Sequence, residues 1–198
     1  MNTQIIGVAG SNGSGKDTVM QLLSNKYEYL FISVTDLLAA ELEKRGEPTD
    51  RAHKAALSAE WRREHGMGVV VQKAYETWEQ QASTYKGVVV GSLRHPGEAD
   101  AIHELGGTML WIDADPRVRY ERIQANAEAR GRAIEDAITF EQFLADEERE
   151  KYPTGDAATL STMAVKERCD LFLDNDGESI EGFERTVERV LELGETED

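Results

Sequence analysis

The chain has a single cysteine, Cys169, so an internal disulfide is excluded and the expected setting is the reducing cytoplasm. No apolar run approaches the roughly 20 residues needed to cross a bilayer. The first residues lack a basic segment followed by an apolar one, so no secretory signal is expected. Cations are also scarce, with 22 Lys and Arg against 38 Asp and Glu and a formal net charge of −16. Nucleic-acid backbones and anionic membranes are held by clustered cations, so neither is an expected partner. Repeats, low-complexity segments and linkers are missing too. The 198 residues are therefore expected to form one domain, residues 1–198, as a monomer or homodimer.

What is present is periodic. Short apolar runs at Gln4–Ala9, Tyr29–Ser33, Gly87–Val90, Thr108–Ile112 and Asp170–Leu173 read as strands. Helical patterns separate them, at about 15–26, 35–45, 49–64, 68–84, 97–105, 116–129, 139–149, 156–168 and 178–193. Five apolar strands alternating with helices predict an α/β fold, a five-stranded parallel sheet with helices on both faces. Two stretches break the alternation, a helical insertion at about 35–84 and a polar segment at about 130–138. Insertions at the C-terminal ends of strands usually serve a ligand.

The most specific stretch follows the first strand. Gly10, Ser11, Asn12, Gly13, Ser14, Gly15 and Lys16 fit G-x-x-x-x-G-K between a strand and a helix. Glycines let the backbone turn its N–H groups inward, the helix N-terminus adds partial positive charge, and the lysine reaches the outer phosphates. Asp17 stands where serine or threonine usually follows the lysine, and Thr18 comes next.

This Gly-Lys-Asp-Thr run resembles the nucleotide-kinase branch of P-loop proteins. The resemblance implies a nucleoside-monophosphate-kinase-like fold with ATP and Mg2+ as cofactors and a small-molecule nucleotide as substrate. Lys16 is then catalytic, and residues 10 to 18 hold the donor. Asp36, in "SVTDLLAAE", matches the family aspartate near the magnesium waters, and Asp17 is the second candidate for holding the metal through water. The family arginine on that helix is replaced by Ala39, so the acceptor needs another cation, with Arg62 or Arg63 in the insertion as candidates. Arg94, four residues past Val90, matches the acceptor-binding arginine, whereas the aspartate often found at position 90 is missing. His95 is expected to be a polar neighbour in that loop.

"DADPRVRYERIQANAEARGR" resembles the approach to a kinase lid. The resemblance implies that Arg122 stacks on the donor adenine and that Arg130 and Arg132 close over the transferred group. Salt bridges to the Glu-rich helix at 139–150 are the other role open to that pair. Asn175 and Gly177, in "DNDGES", resemble the turn edging the adenine pocket in dephospho-CoA kinases. Across residues 4 to about 193 the chain is similar to archaeal adenylate-kinase-related, dephospho-CoA-kinase-like proteins. That implies phosphoryl transfer from MgATP to a nucleoside monophosphate. Dephospho-CoA as acceptor, and a non-catalytic ATP-binding regulator derived from a kinase, remain open.

Overall fold

The computed structural model describes residues 4–126, 138–152, 155–177 and 179–194. Five strands, β1 (Ile5–Gly10), β2 (Tyr29–Ser33), β3 (Gly87–Gly91), β4 (Thr108–Asp113) and β5 (Leu171–Asp174), form one parallel sheet in the order β2-β3-β1-β4-β5. Side chains alternate faces along each strand. Ile5, Ala9, Val88, Val90, Met109 and Trp111 join one core layer, and Ile6, Val8, Val89, Leu110 and Ile112 join the other. This is why the strands read as continuous apolar runs: both faces are covered.

On the second face lie α1 (Lys16–Tyr27) and α9 (Ile180–Val190), which contribute Val19, Leu23, Phe183 and Val187. The first face carries α2 (Val34–Arg45), α3 (Arg51–His65), α4 (Val69–Glu79), α5 (Pro96–Glu104) and α8 (Thr162–Lys166). The predicted insertion is thus three helices, α2 to α4, between β2 and β3. Two further helices, α6 (Pro116–Ala125) and α7 (Phe140–Lys151), follow β4. None of the helices is long and apolar enough to cross a membrane among the described residues.

Two helical expectations need correction. The helix expected at 68–84 ends at Glu79 and continues as turns. The one expected at 156–168 shrinks to α8, because the preceding backbone bonds elsewhere. Asp156 accepts from the Ala158 and Thr159 N–H groups, and the Ser161 N–H donates to the Arg94 carbonyl. Those bonds hold residues 155–161 as a loop against α3 and α5.

The order of strands decides the site. β1 lies between β3 and β4, so the glycine-rich loop leaves the sheet beside the ends of both.

Candidate functional site

The loop from Gly10 to Gly15 is shaped by close backbone approaches. A Cβ on Gly10 would lie 2.0 Å from the Ile112 carbonyl oxygen, and one on Gly15 2.4 Å from the Asn175 amide nitrogen. Gly13 and Gly15 also sit at φ of 79° and 99°, the left-handed region that favours glycine. The spacing reflects packing against β4, α6 and the turn after β5 as much as room for a ligand. Ser14 is fully buried, and its hydroxyl has no hydrogen-bond partner. Lys16 folds back, donating from Nζ to the carbonyls of Gly10 at 3.0 Å and Ser11 at 2.5 Å.

A cleft of about 970 Å³ opens from this loop across the C-terminal ends of β1, β3 and β4. Among the described residues, eight of the chain's 22 Lys and Arg line it, against six of its 38 Asp and Glu. The cleft lining is therefore slightly richer in cations than in acids, within a strongly acidic protein.

Arg94 lines the cleft from the loop between β3 and α5. Its backbone N–H donates to Glu98 Oε2 at 2.8 Å, and its Nη1 donates to Glu150 of α7 at 3.2 Å. Glu98 also accepts from the His95 N–H, while His95 Nδ1 accepts from the Gly97 N–H, which together form a capping box at the start of α5. The loop is strained as well, since Ser92 lines the cleft at φ 67°. His95 Nε2 lies 2.7 Å from the Ala157 carbonyl, and burial holds the ring's pKa below its ordinary value. It is a buried structural neighbour of Arg94.

Arg62 is buried beneath the Arg94 side of the cleft. Its Nη1 donates to Ser58 Oγ and the Ala158 carbonyl, and its Nη2 faces Glu98 Oε1 at 3.5 Å. Its Nε is buried without a partner. Burial pushes the Arg62 guanidinium down and the Glu98 carboxyl up, the sign of a pair withdrawn from water. Arg63, the other candidate, is exposed and pairs with Asp156 at 2.8 Å, away from the cleft lining.

Other expectations are relocated. Asp17 and Asp36 are exposed in the first turns of α1 and α2, and neither lines the cleft. Thr35 lines it in place of Asp36, because α2 begins at Val34 and Ser33 caps the Asp36 N–H. Thr18 lies on α1 outside the lining. Arg122, Asn175 and Gly177 do come together, beside the loop but outside this cleft. Arg122 donates to the carbonyls of Asn175 and Gly177 at 2.8 Å each, and the Asn175 amide donates to the Ser14 carbonyl at 2.9 Å. Arg130 and Arg132 lie outside the described residues. Cys169 is half-buried, and burial pushes its thiol up to about 12, so it is an inert packing residue.

Arg119, Asp113 and Lys166 were given no specific role from the sequence. Arg119 is buried and donates to the carbonyls of Ala114 and Asn12 and, with both terminal nitrogens, to Glu147 of α7. Asp113 ends β4 and lines the cleft with Lys166 at 3.7 Å. Burial works to raise its pKa, but hydrogen bonds from Ser11 and the Ala114 N–H, with the charge of Arg119, hold it below the usual carboxylate range. Asp113 and Arg119 were visible only within the stretch that resembles the approach to a lid, and nothing marked Lys166. No group of three or more His, Cys, Asp and Glu is gathered to hold a metal among the described residues.

A family described as AAA domain matches residues 9–141. A UPF0200 protein of Pyrobaculum aerophilum is 33% identical over 189 residues, covering 94% of this chain and 96% of that protein. Human adenylate kinase isoenzyme 1 is 26% identical over 146 residues, covering 72% of this chain and 74% of that protein. A solved shikimate kinase of Bacteroides thetaiotaomicron shares the fold, with a TM-score of 0.56 at 15% identity and 95% and 98% of the two chains covered.

Proposed function

The chain belongs to the AAA-domain family and to the UPF0200 proteins, a P-loop nucleotide-kinase lineage, and on that premise we propose that it transfers the γ-phosphoryl group of ATP to a nucleoside monophosphate. One observation carries the reading. Lys16 on the glycine-rich loop and Arg94 beyond the neighbouring strand line the same cleft, which sets a donor anion site and an acceptor anion site facing one space.

Lys16 leaves the Gly10 and Ser11 carbonyls for the outer phosphates, while the loop's N–H groups take the rest. Arg94 holds the acceptor phosphate with its planar fork, and the charge of Arg62 lies beneath. An acceptor phosphate oxygen attacks the γ-phosphorus, its new bond forms as the bond to the β-phosphate oxygen breaks, and ADP leaves. The protein contributes alignment and positive charge around the transferred group. Arg119, tied to the Asn12 carbonyl, positions the loop. Arg130 and Arg132 are proposed to supply further charge from the lid, and Arg122, Asn175 and Gly177 to edge the adenine.

A magnesium ion, implied by the family, would neutralise the β- and γ-oxygens. The residues present fit an ion that arrives on ATP and keeps its waters. Asp113, ionised and hydrogen-bonded to Ser11, is the cleft carboxylate that would hold those waters, a role moved here from Asp17 and Asp36. The rest of the reading is a single cytoplasmic kinase domain, monomer or homodimer, with small molecules as partners.

The test is ADP release from MgATP across a panel of nucleoside monophosphates and dephospho-CoA. ADP formation that depends on one monophosphate is expected. Dependence on dephospho-CoA would reassign the acceptor, and tight ATP binding without turnover would make the chain a regulator.

A further inference from the structure

We propose that Arg51 is a second acceptor-binding residue and that Glu150 occupies, in the free protein, the place the acceptor's phosphate takes. This rests on the kinase reading above. It starts from a gap, since α2 lines the cleft with Val34, Thr35 and Leu38 and contributes no Lys or Arg to it. The two candidates in the sequence do not fill that gap as free forks. Arg62 has committed Nη1 to Ser58 and Ala158 and turns Nη2 to Glu98, and Arg63 pairs with Asp156 away from the cleft lining.

Arg51, the first residue of α3, lines the cleft and meets Arg94 through one carboxylate. Glu150 Oε2 pairs with Arg94 Nη1 at 3.2 Å, and Glu150 Oε1 pairs with Arg51 Nη2. Two guanidiniums from separate elements thus converge on one oxyanion, one on each oxygen. That is how arginines hold a phosphate as well as a carboxylate.

The occupant is built to leave. Glu150 belongs to α7, and Thr162 Oγ1 anchors its backbone carbonyl rather than its carboxylate, so the side chain can turn away while the helix stays. Partly exposed ion pairs of this kind are weak, because solvent screens them. A phosphate of charge about −1.5 to −2 displaces a single carboxylate, at the cost of a modest reduction in apparent affinity. The chemical consequence is selectivity. An anion that meets only the two arginines must evict Glu150 unaided, whereas a nucleotide has its sugar and base contacts to help.

The experiment is titration of inorganic phosphate into the full chain by calorimetry, comparing the wild type with Glu150→Gln, Arg51→Gln and the double variant. The glycine-rich loop binds phosphate equally in all four, so differences report the second site. Glu150→Gln is expected to bind about threefold to tenfold more tightly, and the gain should vanish when Arg51→Gln is added. Arg51→Gln alone should raise the KM of the acceptor about tenfold and leave that of ATP unchanged. Unchanged or weaker phosphate binding in Glu150→Gln would overturn the proposal, the latter making Glu150 a brace for the arginines. So would a gain that survives in the double variant. Should Glu150→Gln fold poorly, Glu150→Asp withdraws the carboxylate by one methylene and should show a smaller gain. Phosphate binding needs no turnover, so a chain that makes no ADP with any acceptor still answers this question.

Discussion

Arg94, the proposed acceptor-binding residue, is held by its own loop. Its backbone is fixed by Glu98, its loop carries the positive φ of Ser92, and its guanidinium reaches the cleft. Lysine keeps the charge but loses the planar fork. Arg94→Lys should therefore lower the acceptor's kcat/KM by roughly 10- to 150-fold, the equivalent of losing about 1.5–3 kcal/mol of charged hydrogen bonding. The dissociation constant of ATP should stay within a few-fold. Steady-state kinetics with each substrate varied in turn, beside ATP binding by calorimetry, separates the two. Equal losses on both sides would place Arg94 at the transferred group instead.

Elements hold the glycine-rich loop through partners distant in sequence. β4 meets it at Gly10, α6 at Gly13 and the turn after β5 at Gly15, where the Asn175 amide donates to the Ser14 carbonyl. That bond is buried, so Asn175→Ala leaves an acceptor without its donor at a cost of about 1–3 kcal/mol. The loop also loses its brace. Urea unfolding should show the loss of stability, and ATP titration a several-fold weaker affinity. Stability lost without any change in ATP binding would make Asn175 a packing residue only. α7 is tied to the same machinery, with Glu147 on Arg119 and Glu150 on Arg94 and Arg51. It bridges Arg119, beside the glycine-rich loop, and Arg94 with Arg51 through carboxylates about 4.5 Å apart in helix rise, three residues at about 1.5 Å each.

At the scale of the whole molecule, 38 acids against 22 bases leave a net charge of −16 spread over a surface that repels itself. Surface ion pairs such as Lys26–Glu188 and Arg45–Glu60 offset this only in part, because solvent screens them. Raising salt from about 0.01 M to 1 M shortens the Debye length from about 30 Å to about 3 Å. Contact pairs lose little, while long-range repulsion is removed. The melting temperature should therefore rise with NaCl, and calorimetry or circular dichroism across a salt series would show it. A melting temperature that falls with salt would mean that the ion pairs outweigh the repulsion.

Periodicity and the glycine-rich run were enough to read the sheet, its five strands and the P-loop, because local backbone geometry and two-sided burial write themselves into consecutive residues. The loop 155–161 was not legible. Its helical composition loses to hydrogen bonds with Arg62, His95 and Arg94, far away in the chain. The same holds for the cleft. Arg94 follows a strand end and could be named, but Asp113, Arg119 and Arg51 gain their meaning only from neighbours 28 to 107 residues away. The sequence by itself determined the fold and the phosphate loop, since both follow from residues adjacent in the chain. Which charges meet in the cleft was decided by the tertiary structure alone, since electrostatic pairing depends on distance in space and leaves no period in the sequence.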